Sequence, residues 1–209
     1  VNRRTKNSGT DKRLLADEAF RYIGARILDG ALPAGQRIRD LDVAEHLGLS
    51  RTPVREALQR LERLGMVSMY PSRYTEVTAV TEDVTAQALA FAGYQAGIAA
   101  RTAVPRLTAP QREYLAALVQ PMCSALDGSE PAVDARWSVF SYLGEHCGNV
   151  PHRALMAESA LAIRRNLREW SVPPEDERRM REIYADFRDA VLVGDGVEAE
   201  RLAREMHYL

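Results

Sequence analysis

Cysteine and histidine are scarce in this sequence, at two and four of 209 residues. Cys123 and Cys147 lack the spacing of a metal knuckle or a redox pair, which argues against a disulfide scaffold. They suit two small core residues in a reducing cytoplasm. No apolar run approaches the length of a membrane span, and the N-terminus lacks a signal peptide's hydrophobic segment, so neither a spanning helix nor secretion is expected. Gly-rich phosphate loops and zinc-type His/Glu motifs are also missing, so no motif announces catalysis. Net charge is nearly absent at −1. What is present is an apolar fraction of 46%, enough for the cores of two small domains.

The small net charge hides an asymmetry. Residues 1–80 carry 14 Lys and Arg against 10 Asp and Glu, a net of +4, while residues 81–209 carry 14 against 19, a net of −5. A basic front and an acidic back fit a chain that offers one end to nucleic acid. Within the basic part, Val54, Ala57, Leu58, Leu61 and Leu64 recur at helical spacing and predict a buried stripe. Arg51, Arg55 and Gln59 are four apart on a different stripe, leaving an exposed polar row. Pro53 fits only a first turn, so the helix starts among Ser50 to Thr52, and Gly65 suits its end. Arginines at the leading half of a helix are what a major-groove reader needs. An ordinary solvated amphipathic helix has the same pattern, so the flanking segments must decide.

Asp40 to Leu47 reads as a short amphipathic helix, with Asp40 as its cap and Gly48 as its stop. Gly48-Leu49 then turns into the arginine helix, which is helix-turn-helix spacing. Met66 to Tyr70 and Tyr74 to Val80 read as strands joined by the turn Pro71-Ser72-Arg73, with Arg37-Ile38-Arg39 as a short third strand. A hairpin behind such a helix is a wing, and Arg73 at its tip can reach the backbone. Val1 to Thr10 is polar and aperiodic, so residues 1–13 are expected to be a disordered arm before a first helix marked by Leu15, Ala19, Tyr22, Ile23 and Ile27.

From Thr81 onward the periodicity is helical throughout. Helices fit 81–104, 108–126, 131–147, 151–170, 175–193 and 197–208, separated by Pro and Gly. The fold class expected is mainly α: a winged helix-turn-helix domain at 14–80 and an all-α six-helix bundle at 81–209.

Leu32-Pro33-Ala34-Gly35 followed by Val43 through Leu58, with Ser50-Arg51-Thr52-Pro53-Val54-Arg55-Glu56-Ala57-Leu58 at its centre, resembles the winged-helix signature of GntR-type bacterial transcription regulators. That resemblance places Arg51, Thr52 and Arg55 on DNA-contacting positions. Leu41 stands where many members have an arginine, which leaves Arg37 or Arg39 as substitutes, and Tyr74 stands where the wing usually has glycine. Gly148-Asn149 and Asp189-Ala190-Val191 with Gly194-Asp195 resemble motifs of the effector-binding domain in the FadR/VanR (FCD-domain) subgroup. The DNA-binding set expected is therefore Arg37, Arg39, Ser50, Arg51, Thr52, Arg55, Gln59, Ser72 and Arg73, with Ser72 and Arg73 chiefly on the backbone.

Many members of that subgroup hold a divalent metal with one Asp and three His in the bundle. Asp134 and Ser138 carry the spacing of the first pair, but serine is no ligand, and sliding to Phe140-Ser141 gives serine again. The next position falls on Tyr184 and the last on Met206 or His207, so no metal site and no cofactor are expected. The first bundle helix also has Ala92 near the place of an effector-binding arginine. A metal-free pocket needs other anchors. Arg164 lies on the stripe Ala160, Ile163, Arg164, Leu167 and is expected inward, with Asp134, Ser138, Tyr142, Tyr184 and His207 lining the same cavity. The alternative is that Arg164 pairs with Asp134 or Glu158 and Tyr184 fills core. His46, His146 and His152 read as surface residues.

The function expected is a cytoplasmic transcription regulator that binds a palindromic double-stranded operator as a homodimer, under control of a small organic-acid effector. One alternative is a DNA-binding protein whose bundle only dimerises. The other is an enzyme with Cys147 or Ser141 as nucleophile and His146 or His152 as base.

Overall fold

The computed structural model describes residues 7–71, 73–128 and 132–209. The chain divides into two compact units, 1–80 and 81–209. In the first, α1 (Asn7–Leu28), β1 (Arg37–Ile38), α2 (Asp40–Leu47), α3 (Arg51–Arg63), β2 (Val67–Tyr70) and β3 (Tyr74–Val77) follow one another. The strands form an antiparallel sheet in the order β1-β3-β2, with Tyr70 opposite Tyr74. Ala16, Ala19, Phe20, Ile23 and Ile27 of α1 meet Val54, Ala57, Leu58 and Leu61 of α3, all buried, because both stripes repeat at three and four residues.

Two expectations for this unit need correction. Helix α1 begins at Asn7, so residues 7–13 are helical rather than part of an arm, and residues 1–6 lie outside the described residues. Asp40 is the first residue of α2 and does not cap it; the N-cap position is Arg39, with no side-chain cap. The Asp40 carboxylate is instead bonded to Arg51.

The second unit contains α4 (Glu82–Ala103), α5 (Ala109–Leu126), α6 (Ala132–His146), α7 (Val150–Asn166), α8 (Glu177–Val193) and α9 (Gly196–Glu205). Tyr184, Phe187, Leu115, Leu143, Leu202 and Met206 are among its fully buried side chains. The small side of α4 lets α9 and the residues after it come close: a Cβ on Gly97 would stand 2.9 Å from Arg204 Nε, and one on Gly93 2.6 Å from the Cβ of His207. Gly148 and Gly194 have left-handed backbone, at φ 68° and 81°, and each is followed by the residue that caps the next helix. Asn149 accepts from the His152 amide, and Asp195 accepts from the Val197 and Glu198 amides at 3.0 Å. The two short motifs thus share one physical meaning, a helix stop joined to a helix start. Asp195→Ala is expected to cost about 0.5–2 kcal/mol, read as a lower urea midpoint for the bundle; an unchanged midpoint contradicts the capping role.

Candidate nucleic-acid interface

A concave surface of the first unit is bounded by α3, the start of α2 and the sheet. Arg37, Arg39, Arg51, Arg55, Gln59 and Arg73 all line it. Helix α3 supplies Arg51, Arg55 and Gln59 because its opposite stripe is committed to the core. Ser50, at the N-cap position, and Thr52, in the first turn, are exposed at the helix's leading end. Ser72 lies outside the described residues.

Three local contacts shape this surface. Arg51 grips Asp40 through Nη2, at 2.9 and 3.1 Å from the two carboxylate oxygens, and through Nε at 3.3 Å. The arginine side chain is 58% exposed, so the pair adds little stability; its consequence is orientation. One edge of the guanidinium is held, and Nη1 is left for a second partner. On the wing, Tyr70 and Tyr74 pack with ring centres 4.6 Å apart, and the Arg37 guanidinium lies 4.1 Å from the Tyr74 ring centre. Tyr74, where glycine was the family expectation, thus fixes Arg37 above the sheet. At the far end of α3, Glu62 accepts from the Met69 amide at 2.8 Å and ties the helix to β2. Leu41 is exposed on the same concave face, an apolar contact of the kind that suits a thymine methyl.

The bundle residues named from sequence do not converge. Arg164 points outward to Asp134 at 2.7 Å, so the ion-pair alternative is the one observed. Ser138 is exposed and donates to its own helix at the Asp134 carbonyl. Tyr142 is half-buried and packs on the His146 and Tyr114 rings. Only Tyr184 and His207 are fully interior. His152, expected on the surface, is buried, and neither ring nitrogen has a hydrogen-bond partner.

Two arginines of this unit are buried, Arg136 at 5% and Arg165 at 7% exposed, and the sequence reading missed Arg136. It donates to the Tyr184 hydroxyl at 2.9 Å and to the Met206 carbonyl at 2.8 Å, and it lies 5.2 Å from the Trp170 ring centre. The available signal was its place on the stripe Val133, Arg136, Phe140, Leu143. The divalent metal that the family resemblance implies does not fit these residues. The Tyr184 hydroxyl is engaged by a guanidinium, and among the described residues no three of His, Cys, Asp and Glu gather as ligands.

Burial drives the pKa of His207 well below the usual histidine value; the Arg136 charge pushes the same way, against the bond to the Ala203 carbonyl. His152 is lowered by burial. The unfolded histidines take up protons that the folded ones refuse, so their contribution is complete above the ordinary value of 6.5 and is lost as pH falls below it. The bundle's melting temperature is therefore expected to decline between about pH 6.5 and 5, and less so in His207→Asn. A flat profile contradicts the burial of these rings.

The enzyme alternative finds no support in geometry. Cys147 is buried with Sγ donating to the Gly144 carbonyl, and His146 Nδ1 is 2.8 Å from the Tyr142 carbonyl. Among the described residues no helix is long and apolar enough to cross a membrane.

Comparison with known proteins agrees with the two-unit division. Residues 15–77 match the family described as bacterial regulatory proteins, gntR family, and residues 97–207 match the FCD domain. The chain is 35% identical over 98 residues to a probable D-xylose utilization operon transcriptional repressor of Paenarthrobacter nicotinovorans, covering 45% of this chain and 43% of that protein. It is 28% identical over 112 residues to an uncharacterized HTH-type transcriptional regulator of Agrobacterium vitis, covering 52% of this chain and 63% of that protein. The chain thus spans less than two thirds of the length of both relatives. The HTH-type transcriptional regulator Mce2R of Mycobacterium tuberculosis is 26% identical, with 93% of this chain and 89% of that one covered. Among solved structures, McbR/YncC of E. coli shares the fold with a TM-score of 0.67 at 20% identity, covering 93% of each chain. A putative GntR regulator from Rhodococcus sp. RHA1 does so with a TM-score of 0.64 at 18% identity, covering 92% of this chain and 93% of that one. The chain belongs to the gntR family of bacterial regulatory proteins, in its FCD-domain branch, a family of DNA-binding transcriptional regulators and not of enzymes.

Proposed function

We propose that this protein binds a palindromic operator as a homodimer, with α3 of each protomer in the major groove, under the control of a small molecule held in the helical bundle. The observation that carries the reading is the convergence of Arg37, Arg39, Arg51, Arg55 and Arg73 on one concave face with the leading half of α3. Direct base readout falls to Arg51, Arg55 and Thr52, and the remaining groups contact phosphate or sugar. A single winged helix reads a short half-site, so twofold pairing supplies the missing specificity. Exposed Phe91, Tyr94 and Ile98 form an apolar stripe along α4 that suits burial between protomers. A regulator acting on bacterial DNA works in the cytoplasm, and no resident cofactor is proposed.

The second reading, a bundle that serves only dimerisation, is favoured by one observation: the cavity lined by Gln95, Arg136 and Trp170 has a volume of about 30 Å³. Selection of bound duplexes from a random pool, followed by sedimentation of the complex, tests the first reading. Inverted half-sites about one helical turn apart with two chains bound are expected; a single half-site bound by one chain contradicts it. A thermal-shift screen of small organic acids, with and without divalent metal, separates the two readings.

A further inference from the structure

The concave face of the first unit carries five arginines that are not equivalent. Among the described residues, Arg51 alone of the five holds a carboxylate, while Arg39, Arg55 and Arg73 form no ion pair and Arg37 lies against the Tyr74 ring. An unpaired arginine on an open surface takes whichever acceptor the DNA offers, phosphate or base. A clamped guanidinium arrives already oriented, and discrimination between base edges depends on orientation. Asp40 is available as the clamp because its own helix does not use it: the N-cap position of α2 belongs to Arg39. The three bonds that its carboxylate accepts among the described residues come from Arg51, one from Nε and two from Nη2.

Nε and Nη2 form one flank of the guanidinium, so its outer edge, built from Nη1 and the second Nη2 hydrogen, stays open. Two parallel N–H groups match the O6 and N7 acceptors of guanine. The carboxylate is also incompletely used. Oδ2 takes two of the bonds and Oδ1 takes one, which leaves a lone pair on Oδ1. The Asp40 side chain is 22% exposed and lines the same concave surface as Arg51. An ionised carboxylate has no hydrogen to give. In the major groove it attracts the amino groups of adenine N6 and cytosine N4, and it repels the carbonyl oxygens of guanine O6 and thymine O4.

We propose that Asp40 is a specificity-determining residue and reads the operator as one unit with Arg51. Arg51 takes a guanine through its open edge, while Asp40, on the flank, selects adenine or cytosine at a neighbouring base pair through Oδ1. Both of those bases present an amino group, so the preference is degenerate: either is accepted over guanine and thymine on that strand. Asp40 thus acts twice, by fixing the arginine and by excluding bases that turn a carbonyl toward it. This rests on the reading of α3 as the major-groove helix and names what part of that surface recognises.

The full-length protein, Asp40→Asn, Asp40→Ala and Arg51→Ala are titrated against a selected operator and against duplexes in which each half-site base pair is replaced in turn. Arg51→Ala marks the guanine that Arg51 reads. The native protein is expected to discriminate by about ten-fold or more both at that guanine and at a neighbouring position where adenine and cytosine are accepted alike. Asparagine keeps the shape of the clamp and still accepts from Arg51, but its amide also donates. Asp40→Asn is therefore expected to tolerate guanine and thymine at the neighbouring position while the guanine is still read. Asp40→Ala also releases the arginine, so discrimination should fall at both positions. Positions that lose their discrimination in Arg55→Ala should stay as in the native protein for both Asp40 variants, a restriction that a folding defect would not produce. A base profile unchanged in both variants overturns the proposal, as does an equal loss at every position or a native preference for guanine or thymine at the neighbouring one. The two readings fail differently. A native protein that distinguishes no base pair overturns both, whereas selectivity at the Arg55 positions with a profile independent of Asp40 overturns this proposal alone.

Discussion

Arg55→Ala is expected to weaken operator binding by about 1–3 kcal/mol, with no change in melting temperature, because the side chain is exposed on the concave face. Arg51→Ala is expected to fall at the upper end of that range. Its loss strips Asp40 of its partner and leaves a bare carboxylate facing phosphate. Adding Asp40→Ala to Arg51→Ala should then restore part of the affinity, a coupling that a double-mutant cycle reads directly. Fluorescence anisotropy at fixed ionic strength measures the native protein, Arg55→Ala and the three variants of the cycle. Equal affinity across the set is the outcome that removes α3 from the DNA.

The opposite face of the same helix should respond in the opposite way. Leu61 is fully buried where α3 packs on α1, and Leu61→Ala is expected to cost about 2–5 kcal/mol. Because the chain has two units, hydrogen exchange at the amides of α1 and α3 is the appropriate readout rather than a single unfolding midpoint. Protection there should fall, while molecules still folded retain their affinity for DNA. Unchanged protection contradicts the assignment of this stripe to the core. One helix thus separates into a face whose loss costs binding and a face whose loss costs folding.

That separation is also why the front of the chain was readable from sequence. In α3 the apolar and cationic residues occupy distinct stripes, so periodicity alone orients the helix. The bundle helices were equally visible as segments, because Gly and Pro punctuate them and each segment predicted from 81 onward corresponds to a helix. Their interior was less legible. Helix α7 buries His152, Met156, Ser159, Ala162, Ile163 and Arg165, a face with no clean apolar stripe. One residue of rotation turns a helix by about 100°, enough to carry Arg164 from the expected cavity to Asp134 on the surface. Arg136 was overlooked for the complementary reason: an arginine on an apolar stripe usually extends its charge to water, whereas here Tyr184 and the Met206 carbonyl hold it inside. Asp40 shows a similar limit, since its place before a helix suggested a cap and only the folded chain brings Arg51 within reach.

The central claim is that the arginine face of α3 enters the major groove, and guanine N7 lies in that groove. Dimethyl sulfate footprinting of a selected operator therefore tests it most directly. Guanines in each half-site should be protected from N7 methylation by the native protein and exposed again when Arg55 is replaced by alanine. Tight binding that leaves every guanine N7 as reactive as in free DNA would contradict it.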